Sequence, residues 1–212
     1  MFTPNSFREN RSEQLQGLIQ TQPLGLLITH GVDGLQTSLL PFLLYPDEGV
    51  CGVLRAHLAR ANPQWRALDG TADCLVVFQG ENGYVTPDWY PSKAATQRAV
   101  PTWNYIAVEA RGPAAAVQDP AWLRRQLEDL THLQEGRRQQ PWSLDEAPAD
   151  FIAAQMKAIV GIEIPITHLD GKWKLSQNRN AADRSGVIQG LRDERDPHSN
   201  PALAEQVAQQ QE

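Results

Sequence analysis

Residues 24–56 read LGLLITHGVDGLQTSLLPFLLYPDEGVCGVLRA and contain the clearest strand pattern in the chain. Two apolar runs, Leu24–His30 and Leu35–Tyr45, flank the short glycine-bounded segment Gly31–Gly34. Apolar runs separated by such a segment are the pattern of a β-hairpin. A second turn is predicted at Pro46–Gly49 and a third strand at Val50–Ala56. The sequence therefore predicts an antiparallel meander at this point.

Short strands and amphipathic helices fill the rest of the chain. Helical spacing of apolar residues predicts the helices Asn10–Gln22, Asp119–Gly136, Pro148–Ala158, Ala182–Leu191 and Ala202–Gln211. Further strands are predicted at Ala72–Gln79, Trp103–Gln118 and Ile159–His168, with turns at Gly80–Gly83 and Leu169–Gly171. The fold class is therefore α+β. We expect six or seven antiparallel strands in a small closed barrel, because closure removes exposed strand edges.

Composition and charge limit the classes of function. The 212 residues include 19 Lys and Arg against 25 Asp and Glu, which gives a net charge of −6. This balance argues against a surface that binds nucleic acid or anionic lipid throughout, although a local basic face is compatible with it. Cys51 and Cys74 lack metal-ligand spacing, so we expect no metal. The chain shows neither an apolar leader nor about 20 consecutive apolar residues, and we expect a cytoplasmic protein without membrane contact.

Several familiar catalytic motifs are missing from the sequence. No two glycines are spaced two apart, so the GxG of the dinucleotide fingerprint is absent. GxxxxGK[ST], HExxH and GxSxG are absent as well. The common nucleotide hydrolases, zinc proteases and serine hydrolases are therefore disfavoured.

One polar group stands at a predicted strand-to-helix junction, in HLARANPQW at residues 57–65. His57, Arg60 and Asn62 combine an imidazole, a cation and an amide near the start of a helix, which suits a phosphate. The alternative is structural, with Asn62 capping the helix and Pro63 in its first turn. The residues alone slightly favour the structural explanation.

Two further polar groups lie later in the chain. VPTWNY at residues 100–105 brings Trp103, Asn104 and Tyr105 together, and GKWKLSQNR at residues 171–179 ends in the polar run Lys174–Arg179. Aromatic residues in a strand usually belong to the core, and a charged strand end is usually solvated. The residues alone therefore favour structural roles for both groups.

Five segments in the same order carry a family resemblance: HLARANPQW, YVTPDWYPSK (84–93), VPTWNY, GKWKLSQNR and DRSGVIQGL (183–191). From about Phe7 to Leu191 the chain resembles the PaiB-like family of FMN-binding negative transcriptional regulators. The resemblance implies an FMN-binding split β-barrel, related to pyridoxamine-phosphate oxidases and flavin reductases. We therefore expect such a domain with interleaved helices at residues 1–191 and a polar helical tail at 192–212. It also implies a homodimer with FMN at the interface of the two chains.

The resemblance assigns roles to nine residues of this chain. His57, Arg60 and Asn62 would hold the FMN phosphate. Ser38, Trp103 and Asn104 would lie near the flavin ring and ribityl chain, and the site would be closed by Lys174, Gln177 and Arg179. No residue is assigned to catalysis or to a metal.

The chain departs from the family pattern at three positions. The pattern [ST]-H-[LIV]-P-F is replaced by Ser38-Leu39-Leu40-Pro41-Phe42, and VAVH is replaced by Ile106-Ala-Val-Glu109. A glutamate that the pattern carries before the TWNY strand is Ala95 here. Two imidazoles, which suit proton transfer near neutral pH, are thus replaced. We expect flavin binding to survive and any function of those groups to be altered.

The sequence is compatible with three functions. The first is an FMN-binding negative transcriptional regulator. The sequence reveals no DNA-reading element, and the negative net charge does not support nucleic acid as a partner. The second is a flavin-dependent oxidoreductase, in which the protein positions and tunes the ring. The third is a barrel that has lost its cofactor and acts through protein contacts. The resemblance favours the first.

Overall fold

A computed structural model of the chain describes residues 1–32 and 34–210. Asp33, in the predicted turn Gly31–Gly34, and Gln211, in the predicted last helix, lie outside the described residues. The strands are β1 (Arg8–Glu9), β2 (Leu24–Gly31), β3 (Gly34–Pro41), β4 (Leu43–Tyr45), β5 (Val53–Ala59), β6 (Asp69–Val85), β7 (Thr102–Val117), β8 (Ile159–Pro165) and β9 (His168–Lys174). The helices are α1 (Ser12–Thr21), α2 (Ser92–Thr96), α3 (Pro120–Glu135), α4 (Ala149–Lys157), α5 (Ala181–Arg192) and α6 (Pro201–Gln209).

The α+β class is confirmed, but the sheet has nine strands within the described residues instead of six or seven. Its order is β3-β2-β6-β7-β8-β5-β4, and β9 pairs with both β7 and β1. The strand pairs with an assigned register are antiparallel. Two very short strands, β1 and β4, account for the difference in number, because neither is long enough to show an alternating pattern.

The chain divides into two compact units. Unit 1 comprises residues 1–11, 79–108 and 170 onwards, and unit 2 comprises residues 12–78 and 109–169. Strands β6 and β7 contribute residues to both units. None of the helices within 1–32 and 34–210 has the length and apolar character required to cross a membrane.

Unit 2 is built on the predicted hairpin. β2 and β3 pair from Leu24↔Pro41 to Gly31↔Gly34, and β2 also pairs with the first half of β6. Alternate residues of these strands are buried, as a sheet with one covered face requires. The buried residues of the unit include Leu27, Leu54, Val76, Phe78, Ile162 and Ile164. Helix α3 crosses this sheet where Trp122 packs on Gly161, at which a β-carbon would come within 2.2 Å of the indole ring.

Unit 1 combines β1, β9 and the adjoining parts of β6 and β7 with the C-terminal helices. β1 pairs with β9 through Arg8↔Lys172 and Glu9↔Gly171. Helices α5 and α6 are well packed, and their buried side chains are Val187, Ile188, Leu191, Leu203, Ala204, Val207 and the charged Asp183.

Three local predictions are corrected by the structure. The strand predicted at Val50–Ala56 begins at Val53, because Gly49 (φ 68°) and Gly52 (φ 99°) extend the preceding turn through the left-handed region. The turn predicted at Gly80–Gly83 is wrong, since β6 runs unbroken through it. The turn predicted at Leu169–Gly171 is also wrong, because Gly171 pairs with Glu9 in the sheet.

Candidate functional site

The nine predicted site residues are divided between the two units. Ser38, His57, Arg60 and Asn62 belong to unit 2, whereas Trp103, Asn104, Lys174, Gln177 and Arg179 belong to unit 1.

In unit 2, Ser38 and Asn62 are brought into direct contact. The Asn62 side chain caps the 3-10 helix Pro63–Ala67 by accepting a hydrogen bond from the backbone N–H of Gln64 at 3.0 Å. Its amide nitrogen donates to the hydroxyl oxygen of Ser38 at 2.9 Å. The Ser38 hydroxyl in turn donates to the Gln64 side-chain carbonyl at 2.6 Å. The capping role that the sequence favoured for Asn62 is therefore present, within a network that also holds Ser38.

Gln64 is the centre of this network and was not predicted. Its side chain is almost fully buried and its amide nitrogen donates to Thr29 Oγ1 at 2.9 Å. A buried amide with all these partners fixes the start of the 3-10 helix against β2 and β3, because leaving any of them unpaired is costly. No periodicity in the sequence distinguishes this glutamine from an exposed one.

Arg60 is directed to the junction between α4 and β8. Its guanidinium donates to the carbonyl of Lys157 at 2.8 Å, to the carbonyl of Ile159 at 3.0 Å and to the Gln118 side chain at 2.7 Å. These bonds satisfy carbonyls at the C-terminal end of α4, where a cation is also favoured by the helix dipole. The contacts give Arg60 a structural role beside the one that the resemblance assigns.

His57 lies on the face of β5 that α3 covers. Its Nδ1 atom is 2.9 Å from the side-chain oxygen of Gln126, a residue of α3 that is 1% exposed. The Gln126 amide nitrogen is buried and has no hydrogen-bond partner in the described residues. Neither His57 nor Arg60 bonds to the Ser38–Asn62 pair, so the four predicted residues of unit 2 form three separate contacts.

In unit 1, Trp103 and Asn104 lie on opposite faces of β7. The Trp103 ring is half exposed, donates to the Asn82 side chain at 3.2 Å and packs edge-on against Tyr84. Asn104 is buried and donates to the Ser176 hydroxyl at 2.9 Å. Ser176 has a left-handed backbone (φ 65°), a strained conformation that persists where surrounding contacts fix it and that is found most often at functional sites.

Lys174 connects β9 to the same part of β7. Its ammonium donates to Thr102 Oγ1 at 2.6 Å and to the Trp103 carbonyl at 2.7 Å. Burial, together with the neighbouring charges of Lys172 and Arg179, lowers the pKa of Lys174. Lys172 faces the ring of Tyr105 at 5.0 Å. Lys174 therefore lies in a cationic and aromatic environment beside Trp103.

Gln177 and Arg179 follow β9 and have different partners. The Gln177 side chain folds back on its own turn, accepting from the backbone N–H of Leu175 at 2.7 Å and donating to the Trp173 carbonyl at 2.6 Å. The Arg179 guanidinium lies 4.5 Å from the centroid of the Tyr90 ring. The structure therefore places Lys174 with Trp103, and Gln177 and Arg179 in contacts of their own.

Two buried donors near Arg179 lack acceptors in the described residues. They are the Tyr90 hydroxyl and the Arg184 Nε group, and another nitrogen of Arg184 donates to the Arg179 carbonyl at 3.1 Å. Tyr90 is 2% exposed, and this burial raises the pKa of its phenol. Buried donors without partners are rare in proteins and favour an acceptor from outside the chain. Sequence reasoning missed both residues.

The positions that depart from the family pattern have distinct surroundings. Leu39 is 63% exposed on β3, and Ala95 is exposed on α2. Glu109 on β7 forms an ion pair with Arg111 at 2.8 Å. No group of three or more His, Cys, Asp and Glu side chains within the described residues is arranged to hold a metal ion.

Leu39 belongs to an apolar face of unit 2. Directly opposed residues of antiparallel strands point to the same side of a sheet. Leu26 opposes both Leu39 on β3 and Val77 on β6, and Ile28 opposes Leu75. Leu24 is 59% exposed and Leu35 is 74% exposed on the same two strands, and the polar residues on this side are Thr37, opposite Ile28, and His30, opposite Leu35. We call this surface the hairpin face; its members are Leu24, Leu26, Ile28, Leu35, Leu39, Leu75 and Val77.

The chain is similar in sequence to known proteins over most of its length. The sequence model of a family described as "Putative FMN-binding domain" matches residues 1–168. The Bacillus subtilis protease synthase and sporulation protein PAI 2 is 30% identical over 199 residues, which cover 94% of this chain and 93% of that protein. An uncharacterized protein of Emericella nidulans is 37% identical over 212 residues, 84% of each chain.

A solved structure supports the fold. A conserved hypothetical protein of Mycobacterium tuberculosis superposes with a TM-score of 0.57 at 13% identity, covering 85% of this chain and 94% of that one. This likeness extends over most of both chains and agrees with the α+β fold class expected from the sequence.

Proposed function

The chain belongs to the FMN-binding domain family whose sequence model spans residues 1–168, and on that premise we propose that it is an FMN-binding protein of the PaiB type. The family match is the observation that carries the proposal, and the relationship to PAI 2 over 94% of the chain agrees with it. When bound, FMN would supply a redox-active ring and an anionic phosphate.

The side chains present fit such a group. In unit 1, the Tyr90 hydroxyl and the Arg184 Nε group are donors without acceptors beside Arg179, which suits an anionic oxygen. Trp103 offers a half-exposed aromatic ring, and its backbone carbonyl accepts a hydrogen bond from the Lys174 ammonium. Lys174 and Arg179 would therefore orient an anionic, aromatic ligand, with Asn104 and Gln177 fixing the backbone that carries them.

In unit 2, His57 and Asn62 remain the residues proposed for the phosphate. Asn62 uses one of its two amide N–H groups on Ser38, and the second ring nitrogen of His57 has no partner in the described residues. Arg60 already donates to three protein acceptors, so its contribution to phosphate binding is expected to be smaller than the resemblance implies.

The hairpin face supports a homodimer. Contiguous exposed apolar surface on a folded chain marks an interaction site, because burying it removes apolar area from water. Leu39 stands where the family pattern has a histidine, which makes this face more apolar in this chain. We assign the face to a second copy, with FMN held where residues of the two copies meet.

Titration of the purified protein with FMN tests the cofactor assignment, and riboflavin is the matched control because it lacks the phosphate. We expect a yellow protein, or a colourless one that takes up FMN, with FMN bound at least tenfold more tightly than riboflavin, a difference of about 1.4 kcal/mol. A colourless protein that takes up neither compound would contradict the proposal and favour the barrel that has lost its cofactor.

A regulatory role is proposed together with FMN binding. Direct DNA contact requires a local basic face, and the candidates on unit 1 are Arg8 and Lys172, which are directly opposed in β1 and β9. The test is an electrophoretic mobility shift with the promoter upstream of the protein's own gene, repeated over a range of salt. Lys172→Gln should lower the salt slope by about one, whereas Lys93→Gln should leave it unchanged. A salt slope near zero for the unaltered protein would exclude direct phosphate contact.

A flavin-dependent oxidoreductase is the second candidate, favoured by the lowered pKa of Lys174 beside Trp103. A cation whose pKa is lowered gives up its proton more readily than an ordinary lysine, as a proton donor to a bound substrate must. Oxidation of NADH or NADPH by the FMN-loaded protein, followed by stopped-flow absorbance, separates the two candidates. Turnover that falls in Lys174→Gln would favour the oxidoreductase.

A further inference from the structure

Unit 2 contains a cavity of about 260 Å³ where α3 and α4 meet. Its apolar wall is contributed by Pro120 and Leu123 of α3 and by Ala153 and Met156 of α4. Polar atoms are confined to Arg60, Gln118 and Lys157. The cavity therefore combines an apolar interior with two cations and has no carboxylate among its lining residues.

Both cations lack a counter-charge. The ion pairs of the described residues include neither Arg60 nor Lys157. Lys157 is exposed at the end of α4, and its backbone carbonyl accepts a hydrogen bond from the Arg60 guanidinium at 2.8 Å. Arg60 donates through three N–H groups, and a guanidinium has five. Two N–H groups of Arg60 therefore remain for an external acceptor.

We propose that this cavity binds a small organic anion with an apolar body, such as an aliphatic or aromatic monocarboxylate. The anion would meet Arg60 and Lys157, and the apolar body would pack against Leu123 and Met156. The volume exceeds the about 150 Å³ that accommodates benzene in an engineered apolar cavity, yet lies below that of most drug-sized sites. Arg60 is shared with the phosphate role that the resemblance implies, whereas Leu123, Met156 and Lys157 have no role assigned toward FMN.

The charge pattern decides against the other classes of occupant. A neutral apolar compound would leave two unpaired cations at the rim, and a cation would be repelled by them. A polyphosphate would place its charge against the apolar wall, where burial without partners is costly. A monoanion with one apolar end satisfies both parts of the lining.

Isothermal titration calorimetry with hexanoate tests the proposal, and hexanol is the neutral control of the same chain length. We expect saturable binding of hexanoate at least tenfold tighter than that of hexanol. Ala153→Leu, which fills the cavity from an exposed helix position, should abolish hexanoate binding. Lys157→Gln should weaken it several-fold, whereas Arg98→Gln, a charge-matched change in unit 1, should leave it unchanged.

A thermal unfolding scan shows whether each variant is folded. If Ala153→Leu does not fold, Lys157→Gln still tests the proposal. Arg60→Ala should lower the affinity for hexanoate at least tenfold. Equal binding of hexanoate and hexanol, or hexanoate binding that Ala153→Leu and Lys157→Gln leave unchanged, would overturn the proposal.

Discussion

Gly190 of α5 lies so close to the indole ring of Trp89 that a β-carbon at position 190 would come within 2.3 Å of the ring. One turn earlier, a β-carbon at Gly186 would come within 1.9 Å of the Trp89 carbonyl oxygen. Two glycines four residues apart thus give α5 a groove that holds Trp89, whose indole nitrogen also donates to Asp196 at 3.1 Å. This contact joins the YVTPDWYPSK and DRSGVIQGL segments, together with hydrogen bonds from the Ser92 backbone N–H and hydroxyl to Asp183.

Gly190→Ala should therefore destabilise the protein. We expect a loss of about 1–3 kcal/mol, because a methyl group forced into a packed interface displaces its neighbours. Gly17→Ala in α1 is the matched control, since nothing lies within 4 Å of the added β-carbon. It should stabilise the protein by about 0.5–1 kcal/mol through helix propensity. Urea denaturation measures both changes, and equal midpoints would contradict the role given to Gly190.

The Ser38 hydroxyl offers a second test. Ser38→Ala removes the acceptor of the Asn62 amide and the donor to the buried Gln64 carbonyl. We expect a loss of about 1–3 kcal/mol in the free energy of unfolding, because Gln64 is left with an unpaired buried atom. Thr37→Ala, at the exposed neighbouring position, should cost less. Similar losses in the two variants would show that the network contributes little.

Much of the fold could be predicted because its signals are local. The hairpin β2–β3, the helices α1, α3, α4 and α5, and strand β7 follow from periodicity and from prolines and glycines at their ends. The turn predicted at the glycines of β6 was wrong, because glycine is favoured both in turns and where another part of the chain packs closely against the backbone. Gly83 lies under α6, where a β-carbon would come within 2.9 Å of Leu203. That contact joins residues 120 positions apart, and no local pattern reveals it.

The candidate site shows the same division between local and distant contacts. Capping by Asn62 was predictable, because its partner is two residues away. The contact between Lys174 and Trp103 and the buried pair of His57 with Gln126 depend on strands and helices distant in sequence. The resemblance implied Trp103 near the flavin ring and Lys174 among the residues that close the same site, but it gave no indication of Gln126, Tyr90 or Arg184.

The two cysteines should differ in reactivity. Burial, assisted by the nearby Asp73 carboxylate, raises the pKa of the Cys74 thiol to about 12, whereas Cys51 is partly exposed. Since the thiolate is the reactive form, a thiol reagent near neutral pH should modify Cys51 and leave Cys74 intact until the protein unfolds. Thiol counts with and without denaturant measure this. The count of the native Cys51→Ser variant should be close to zero, and a full reactive thiol in that variant would contradict the assignment.

The same shift makes stability depend on pH. The folded pKa of Cys74 lies above its ordinary value of 9.0, so the unfolded chain loses this proton first as pH rises. The contribution of Cys74 to stability is therefore complete below about pH 9 and is lost as pH rises toward 12. The urea midpoint of Cys74→Ala should therefore fall less than that of the unaltered protein as pH rises from about 9 toward 12. Urea midpoints that change equally with pH in the two proteins would show that Cys74 does not contribute to the pH dependence of stability.

The hairpin face makes the oligomeric state a test of the proposed dimer. Leu39→Asp introduces a carboxylate among Leu26, Leu35 and Val77, and a buried charge without a partner strongly opposes association. We expect the unaltered protein to sediment as a dimer and Leu39→Asp as a folded monomer. Because Leu39 is 63% exposed in the single chain, the substitution should cost the monomer little stability.

Val100→Asp provides the control for that experiment, since Val100 is 67% exposed in unit 1 and lies outside the hairpin face. It should remain dimeric. If FMN is held where the two copies meet, monomeric Leu39→Asp should also bind FMN at least tenfold more weakly, while Leu39→His, which restores the residue of the family pattern, should retain both properties. A Leu39→Asp protein that stays dimeric would place the contact on another surface, and a monomer that binds FMN normally would show that one chain is sufficient for the cofactor.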